Sequence, residues 1–282
     1  MNILSIQSWV AYGHVGNASA MFPMQRLGHE VWGIHTVQFS NHTGYGAWRG
    51  EVFGGGLIRE LVGGLEDRNV LPRCDGVLSG YMGTAEIGDA ILDAVGRVKA
   101  ANSSAHYCCD PVMGDVGSGL FVRAGIPEFM RARAVPAADL ITPNQFELEI
   151  LAGHGTGTLA QALAACDAVH ATGPRVILVT SLHTEETPAD SIDLIASGPD
   201  GRFRVRTPRL AISASGAGDA IAALFFVHWK TTHSTAQALS MAASSAYGLL
   251  ARTVAAGATE ILTVAAQDEF VSPSRIFTPE KL

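Results

Sequence analysis

The chain has 282 residues, 48% of them hydrophobic, with a net charge of −7 and four cysteines. That apolar content builds a full core without disulfide or metal staples, and the acidic balance with no Lys/Arg block argues against nucleic acid or an anionic membrane as partner. Cys74, Cys108, Cys109 and Cys166 show no zinc-ligand spacing, which points to a reduced, cytoplasmic protein. The opening run Ile3-Leu4-Ser5-Ile6 lacks the features of a signal peptide, and no apolar stretch is long enough to span a bilayer.

Taken in chain order, short apolar runs alternate with helical patterns. Asn2–Gln7 reads as a buried strand, Asn17–Leu27 as a helix and Glu30–Val37 as a second strand. Leu57–Leu65 is helical in pattern, and Asp75–Ser79 is a compact strand. Thr84–Ala100 is a helix that Thr84 can cap, with Ile87, Ile91, Leu92, Val95 and Val98 on one face. His106–Cys109 and Leu140–Thr142 are strands stopped by prolines; Phe146–Leu151 and Leu159–Ala171 are helical, and Arg175–Thr180 is a β-branched strand. Ser191–Ala196 and Arg202–Arg206 read as an antiparallel hairpin, and Gly216–Trp229 and Thr235–Arg252 as long Ala-rich helices. This alternation implies one α/β domain over residues 1–282, a three-layer sandwich with a mostly parallel central sheet and helices on both faces. Ligands of such sheets sit beyond the carboxyl ends of the strands. The polar residues placed there are Gln7-Ser8, Gln38–Gly44, Ser79–Tyr81, Asp110–Asp115, Thr142–Glu147 and Thr180-Ser181.

The strongest local signal is Ser215-Gly216-Ala217-Gly218-Asp219 at the start of a helix. Two glycines let successive amides face an anion, the helix dipole favours negative charge there, and Asp219 could accept a proton from a substrate hydroxyl. A Gly-rich turn with an acid in the first helical turn is the plainer alternative. A helix N-terminus and nearby magnesium would both depress the Asp219 pKa, which phosphoryl transfer tolerates. Asp110 and Glu147 are hard oxygen ligands suited to Mg²⁺; equally, Asp110-Pro111 could be an ordinary turn and Glu147 a solvent-facing charge. His42 reads as a site residue or as a loop residue with a structural hydrogen bond. There is no Gly-x-x-x-x-Gly-Lys-Ser/Thr loop, and Gly54-Gly55-Gly56 lacks a preceding strand, so a P-loop kinase and a dinucleotide-dependent dehydrogenase are both disfavoured.

Several stretches, in order, resemble pyridoxal kinases of the ribokinase superfamily over essentially the whole chain. They are Ile6-Gln7-Ser8, Tyr12–Asn17, Thr36–Tyr45, Leu78–Gly83, Cys109–Gly114, Thr142–Asn144 with Glu147–Glu149, and Gly216–Asp219. Gly-Ala-Gly-Asp marks only the superfamily; Val37–Thr43 and Ser79–Tyr81 are specific to the pyridoxal branch. The resemblance implies a ribokinase-like homodimer with a small lid, using ATP with Mg²⁺ and a monovalent cation, K⁺ or Na⁺. It implies Asp219 as base and Gly216, Ala217 and Gly218 as anion-hole amides. Ser8, Val15, His42, Thr43, Gly44 and Tyr81 would hold the pyridine substrate. Asp110 and Glu147 would organise the metal, Thr142 and Thr180 would approach the phosphates, and Pro208, Arg209, Leu210 and Ala211 would hold adenine. The chain departs from the pattern at Ala217, where many relatives carry Thr, at Leu120, where some carry a reactive Cys, and in the polar approach Ser213-Ala214-Ser215. The alternatives are a hydroxymethylpyrimidine kinase of the same superfamily and a catalytically weak protein that binds pyridoxal or its phosphate. Intact Asp219, Asp110 and Glu147 weigh against mere binding.

Overall fold

The computed structural model describes residues 1–212 and 215–282, so Ser213 and Ala214 of the polar approach lie outside the described residues. The strands are β1 (Asn2–Val10), β2 (Glu30–Phe39), β3 (Gly50–Val52), β4 (Gly76–Ser79), β5 (His106–Cys109), β6 (Gly114–Asp115), β7 (Gly119–Leu120), β8 (Leu140–Ile141), β9 (Val176–Leu182), β10 (Ser191–Gly198), β11 (Gly201–Pro208) and β12 (Glu280–Lys281). The helices are α1 (Asn17–Arg26), α2 (Gly55–Asp67), α3 (Ala85–Ala101), α4 (Ile126–Phe129), α5 (Val135–Ala137), α6 (Gln145–Ala152), α7 (Leu159–His170), α8 (Ala217–Thr232), α9 (Thr235–Ala255) and α10 (Asp268–Val271).

Ten strands form one sheet in the order β12-β11-β10-β9-β8-β5-β4-β1-β2-β3. The central run from β9 to β2 is parallel, and the flanking strands are antiparallel. Strand alternation sorts the core into two faces. Leu4, Val77, Tyr107, Cys109, Ile141 and Ile177 pack toward α2, α3, α6 and α7. Ile3, Leu78, Cys108, Leu140, Val176 and Leu178 point the other way, onto α1, α8 and α9. Residues buried on both sides give the continuous apolar runs of a covered parallel sheet. The adjacent Cys108 and Cys109 therefore lie on opposite faces, and burial pushes the Cys109 thiol up to about 12, well out of the reactive range.

Thr84 caps α3 as expected, accepting from the Ile87 amide at 3.2 Å. Ile87, Ile91, Val95 and Val98 are buried, whereas Leu92 is only partly so, at the rim of the stripe. Elements absent from the sequence reading are short. They include β3, the β6–β7 hairpin, β12, α10 and the stretch in which α4 passes through a π-helical turn (Met130–Ala134) into α5. Short elements carry too few residues for a period to declare itself.

The sequence also places the ends of β1, β2, β9, β10 and β11 too early. β1 continues to Val10 and β2 to Phe39, with a register shift between Gln7 and Trp9, and β3 joins the edge of β2. Gln7 and Ser8 accordingly sit inside a strand, and so do Thr180 and Ser181 within β9. The extensions raise a small β-lid past the sheet, with its own cluster of Val10, Val15, Val37 and Phe39.

Candidate active site

The ladder of the central strands delivers the acidic residues to one end of the sheet. The Asp110 amide still bonds the Ser79 carbonyl at 2.9 Å, and the Thr142 amide bonds the Cys109 carbonyl at 3.3 Å. Each of these residues lies one position past its strand. Thr142 Oγ1 donates to Asp110 Oδ1 at 2.9 Å, with both side chains buried. Asn144 bridges to Thr180, whose amide bonds the Pro143 carbonyl at 2.9 Å. Asp110, Thr142 and Thr180 are thus neighbours across three adjacent strands.

Glu147 is neither a solvent-facing charge nor a free ligand. It is 4% exposed and completes a capping box with Asn144 at the start of α6. Oε2 accepts from the Asn144 amide at 2.9 Å, and Oε1 from the Met113 amide at 2.9 Å. The carboxylate therefore anchors the root of the β6–β7 hairpin, whose tip exposes Val116, Leu120 and Phe121. Burial pushes its pKa up to about 7, against the pull of these amides. Asp110 is held well above the usual carboxylate range, first by burial and then by the charges of Glu147 and Asp219.

Asp219 sits in the first turn of α8, behind a tight turn. Gly216 has φ of 90°, and a Cβ there would lie 1.7 Å from the His14 carbonyl oxygen, so only glycine fits. Ser19 Oγ donates to the Gly216 carbonyl at 2.7 Å, and the Gly16 amide lies close enough to the Asp219 carboxylate to favour its ionised form. The Gly216 turn is thereby clasped to the segment Gly13–Asn17. Burial raises Asp219 to about 6, partly offset by the Gly16 amide and its own. This reverses the depressed value expected from the helix terminus, because desolvation outweighs the local dipole.

On the substrate side, buried Ser8 packs directly against Gly16, and buried Val15 shares the lid cluster with partly buried Tyr81. Thr36 Oγ1 fixes the Tyr81 backbone by donating to its carbonyl at 2.8 Å. Ser8, Val15 and Tyr81 therefore form one wall. Thr43 and Gly44 are exposed in the loop between β2 and β3, beside His42. The His42 Nδ1 accepts from the Gly44 amide at 3.3 Å and from Ser215 Oγ at 3.1 Å, and burial lowers its pKa. His42 thus joins the loop between β2 and β3 to the turn at Ser215–Gly216. Beyond β11, a cavity of about 400 Å³ is lined by Ala189, Asp190, Arg209, Leu210, Ala211 and Ile212. Pro208 pairs with Ser191 at the strand end instead of lining it.

Among the described residues, no ion pair involves Asp110, Glu147 or Asp219. Glu147 and Asp219 lie near enough to Asp110 to raise its pKa, but among the described residues no group of three acidic, His or Cys side chains is arranged to hold a metal ion. Both oxygens of Glu147 already accept from backbone amides, so they do not present the free donor pair that the sequence reading assigned to a metal.

A family model described as phosphomethylpyrimidine kinase matches residues 72–263. A pyridoxal kinase of Granulibacter bethesdensis is 62% identical over 282 residues, covering 98% of each chain. One from Deinococcus radiodurans is 55% identical over 287 residues, covering 100% of this chain and 96% of its own. The chain belongs to the pyridoxal kinase family. Its fold is the ribokinase-like one: Leishmania donovani pyridoxal kinase in complex with ADP and ginkgotoxin superimposes with a TM-score of 0.93 at 28% identity, covering 100% of this chain and 99% of the other. The family model carries the description of the pyrimidine alternative, while the full-length relatives are pyridoxal kinases.

Sequence reasoning missed several residues that hold the candidate site together. Asn17, fully buried, accepts from Ser5 Oγ at 2.7 Å and donates to the Ile34 carbonyl at 2.9 Å, tying β1 and β2 under Ser8. An Asn directly after Gly16 at a helix start was the available signal. Ser19 and Glu260 carried none, since their partners are remote in sequence.

Proposed function

We propose that this chain transfers the γ-phosphoryl of ATP to the 5′-hydroxymethyl of pyridoxal, forming pyridoxal 5′-phosphate in vitamin B6 salvage. The observation that carries the mechanism is the place of Asp219, in the first turn of α8 behind the Gly216 turn, where burial raises its pKa to about 6. At neutral pH it is mostly ionised yet basic enough to accept a proton. The hydroxyl oxygen forms a bond to the γ-phosphorus, the bond to the β,γ-bridging oxygen breaks, ADP leaves, and the proton goes to Asp219. The amides of Gly216, Ala217 and Gly218 hold the charge of the transferring group, a role that needs backbone only and survives the Ala at 217. Ser8, Val15, His42, Thr43, Gly44 and Tyr81 bind and orient the pyridine ring, with Tyr81 and Val15 supplying apolar contact. Thr142 and Thr180 face the phosphates, and Arg209–Ala211 border the adenine, next to Pro208.

Magnesium, when bound through Asp110 with Glu147 nearby, neutralises phosphate charge, and K⁺ or Na⁺ would use the same oxygen-rich end. No described helix is long and apolar enough to cross a membrane, and the four cysteines are free thiols. On the resemblance to its family, we place the protein in the cytoplasm as a homodimer of one kinase domain per chain. The test is ATP consumption with Mg²⁺ in the presence of pyridoxal, pyridoxine or hydroxymethylpyrimidine. Pyridoxal-dependent turnover that vanishes in Asp219→Ala supports the assignment. Turnover confined to hydroxymethylpyrimidine would overturn it, and binding without turnover would leave a pyridoxal-binding protein.

A further inference from the structure

The loop between β2 and β3 reaches the rest of the molecule through few side chains. At its base, Asn41 Nδ2 closes the loop on itself, donating to the Ala47 carbonyl at 2.9 Å. Outward, His42 meets Ser215, as described above. The second outward contact is made by Tyr45, half exposed, whose hydroxyl donates to Glu260 Oε1. Glu260 belongs to the irregular segment that follows α9, far from both in sequence.

The other oxygen of Glu260 is also engaged. Oε2 accepts from the His14 amide at 3.2 Å. The approach is so close that a Cβ at Gly13, where φ is 90°, would lie 2.4 Å from Oε2. His14 is in turn the residue whose carbonyl lies against Gly216, and the Gly16 amide lies close to the Asp219 carboxylate. One carboxylate therefore connects the lid loop to the segment that clasps the anion-hole turn. A side chain with two independent acceptor oxygens is required for that bridge; an amide offers one, and an apolar residue none.

We infer that Glu260 is a positioning residue for the reaction, a latch that holds the loop bearing His42, Thr43 and Gly44 in register with Gly13–Asn17 and the Asp219 turn. This rests on the pyridoxal kinase reading for its catalytic consequence, but the latch itself is a property of the free protein. Because the loop carries ring-binding residues and none of those assigned to the nucleotide, releasing it should weaken pyridoxal and spare ATP.

The experiment compares Glu260→Ala, Glu260→Gln, Tyr45→Phe and the double variant Tyr45→Phe/Glu260→Ala in two assays. In steady-state kinetics, Tyr45→Phe and Glu260→Ala should each raise the pyridoxal KM about three- to tenfold, as expected for a lost charge-assisted hydrogen bond at a partly exposed site, with the ATP KM unchanged. The double variant should be no worse than Glu260→Ala, because both changes break the same contact. Glu260→Gln, which keeps one acceptor, should recover part of the loss. In hydrogen exchange on the free protein, the amides of residues 41–48 should exchange faster in Glu260→Ala and Tyr45→Phe than in the unmodified chain. Unchanged exchange, multiplicative effects in the double variant, or equal rises in both KM values would overturn the latch. If the unmodified chain turned over no pyridoxal, the functional reading would fail instead, and hydrogen exchange would still decide the latch.

Discussion

Two buried aspartates at opposite ends of the sheet's logic show how this molecule separates scaffold from chemistry. Asp193, in β10 and 1% exposed, is met by Arg206 on β11 through two bonds of 2.7 Å and by Thr187 Oγ1 at 2.9 Å. The pair is bidentate, and its hydrogen bonding holds the guanidinium above its ordinary pKa. Asp110, 6% exposed, has the Thr142 hydroxyl and two further carboxyls as its surroundings. A buried charge that is paired stabilises its fold or costs little; one surrounded by its own sign waits for an ion or a substrate.

The contrast is broken most strongly at Asp219. Asp219→Ala should lower kcat by about 10²- to 10⁴-fold, the usual contribution of a positioned base, while calorimetry shows pyridoxal binding nearly unchanged. A variant with near-native turnover removes Asp219 from the mechanism. The reciprocal change is Asp193→Ala, which leaves Arg206 partly buried and unpaired. It should cost about 3 kcal/mol of stability in denaturant unfolding, with the kcat of the folded fraction retained. Equal loss of kcat there would mean that the two aspartates are not functionally distinct.

A smaller effect separates repulsion from pairing. Asp110→Asn should raise the melting temperature of the metal-free protein, because it removes one of three like charges, and should increase the Mg²⁺ concentration needed for half-maximal rate. A lowered melting temperature would show that Asp110 is held favourably as a charge. The pH dependence follows from Asp219, whose folded pKa is raised to about 6 from an ordinary 3.8. The base must be ionised, so kcat/KM should be full above pH 6 and fall about tenfold per unit below it. For stability the sign is opposite to that of a paired acid: ionising Asp219 costs stability above pH 6, and the cost disappears as the pH falls toward 3.8. Asp219→Asn should therefore be more stable than the parent at pH 7.5 and indistinguishable from it near pH 4. An acidic limb near pH 4 in the rate profile would place the operative carboxyl in a solvated setting.

Much of the site was legible because its residues lie one step past recognisable strands. Asp110 follows the apolar run ending at Cys109, and Thr142 and Asn144 flank the proline that stops β8. Gly216–Asp219 announced itself through glycine spacing at a helix start. Ser8 and Thr180 were found for a partly mistaken reason, since both lie within strands that run on past the expected ends. Tyr81 and Val15 were assigned by resemblance, and the structure supplies the physical link in their common apolar cluster. The lid strands, the β6–β7 hairpin and the role of Glu147 as a cap were not legible. They depend on pairing between segments whose local pattern is too short or too mixed to specify it.

By itself the sequence determined the order of the main strands and helices, the parallel class of the sheet, the two-sided core and the glycine turn before Asp219. Each of these follows from local conformational preference or from apolar spacing within one element. Tertiary structure alone decided the raised pKa of Asp219, the nearness of Glu147 and Asp219 to Asp110, and the bridge from Tyr45 through Glu260 to His14. Those properties depend on desolvation and on contacts between segments remote in the chain, and neither burial nor distance is written in the spacing of residues along it.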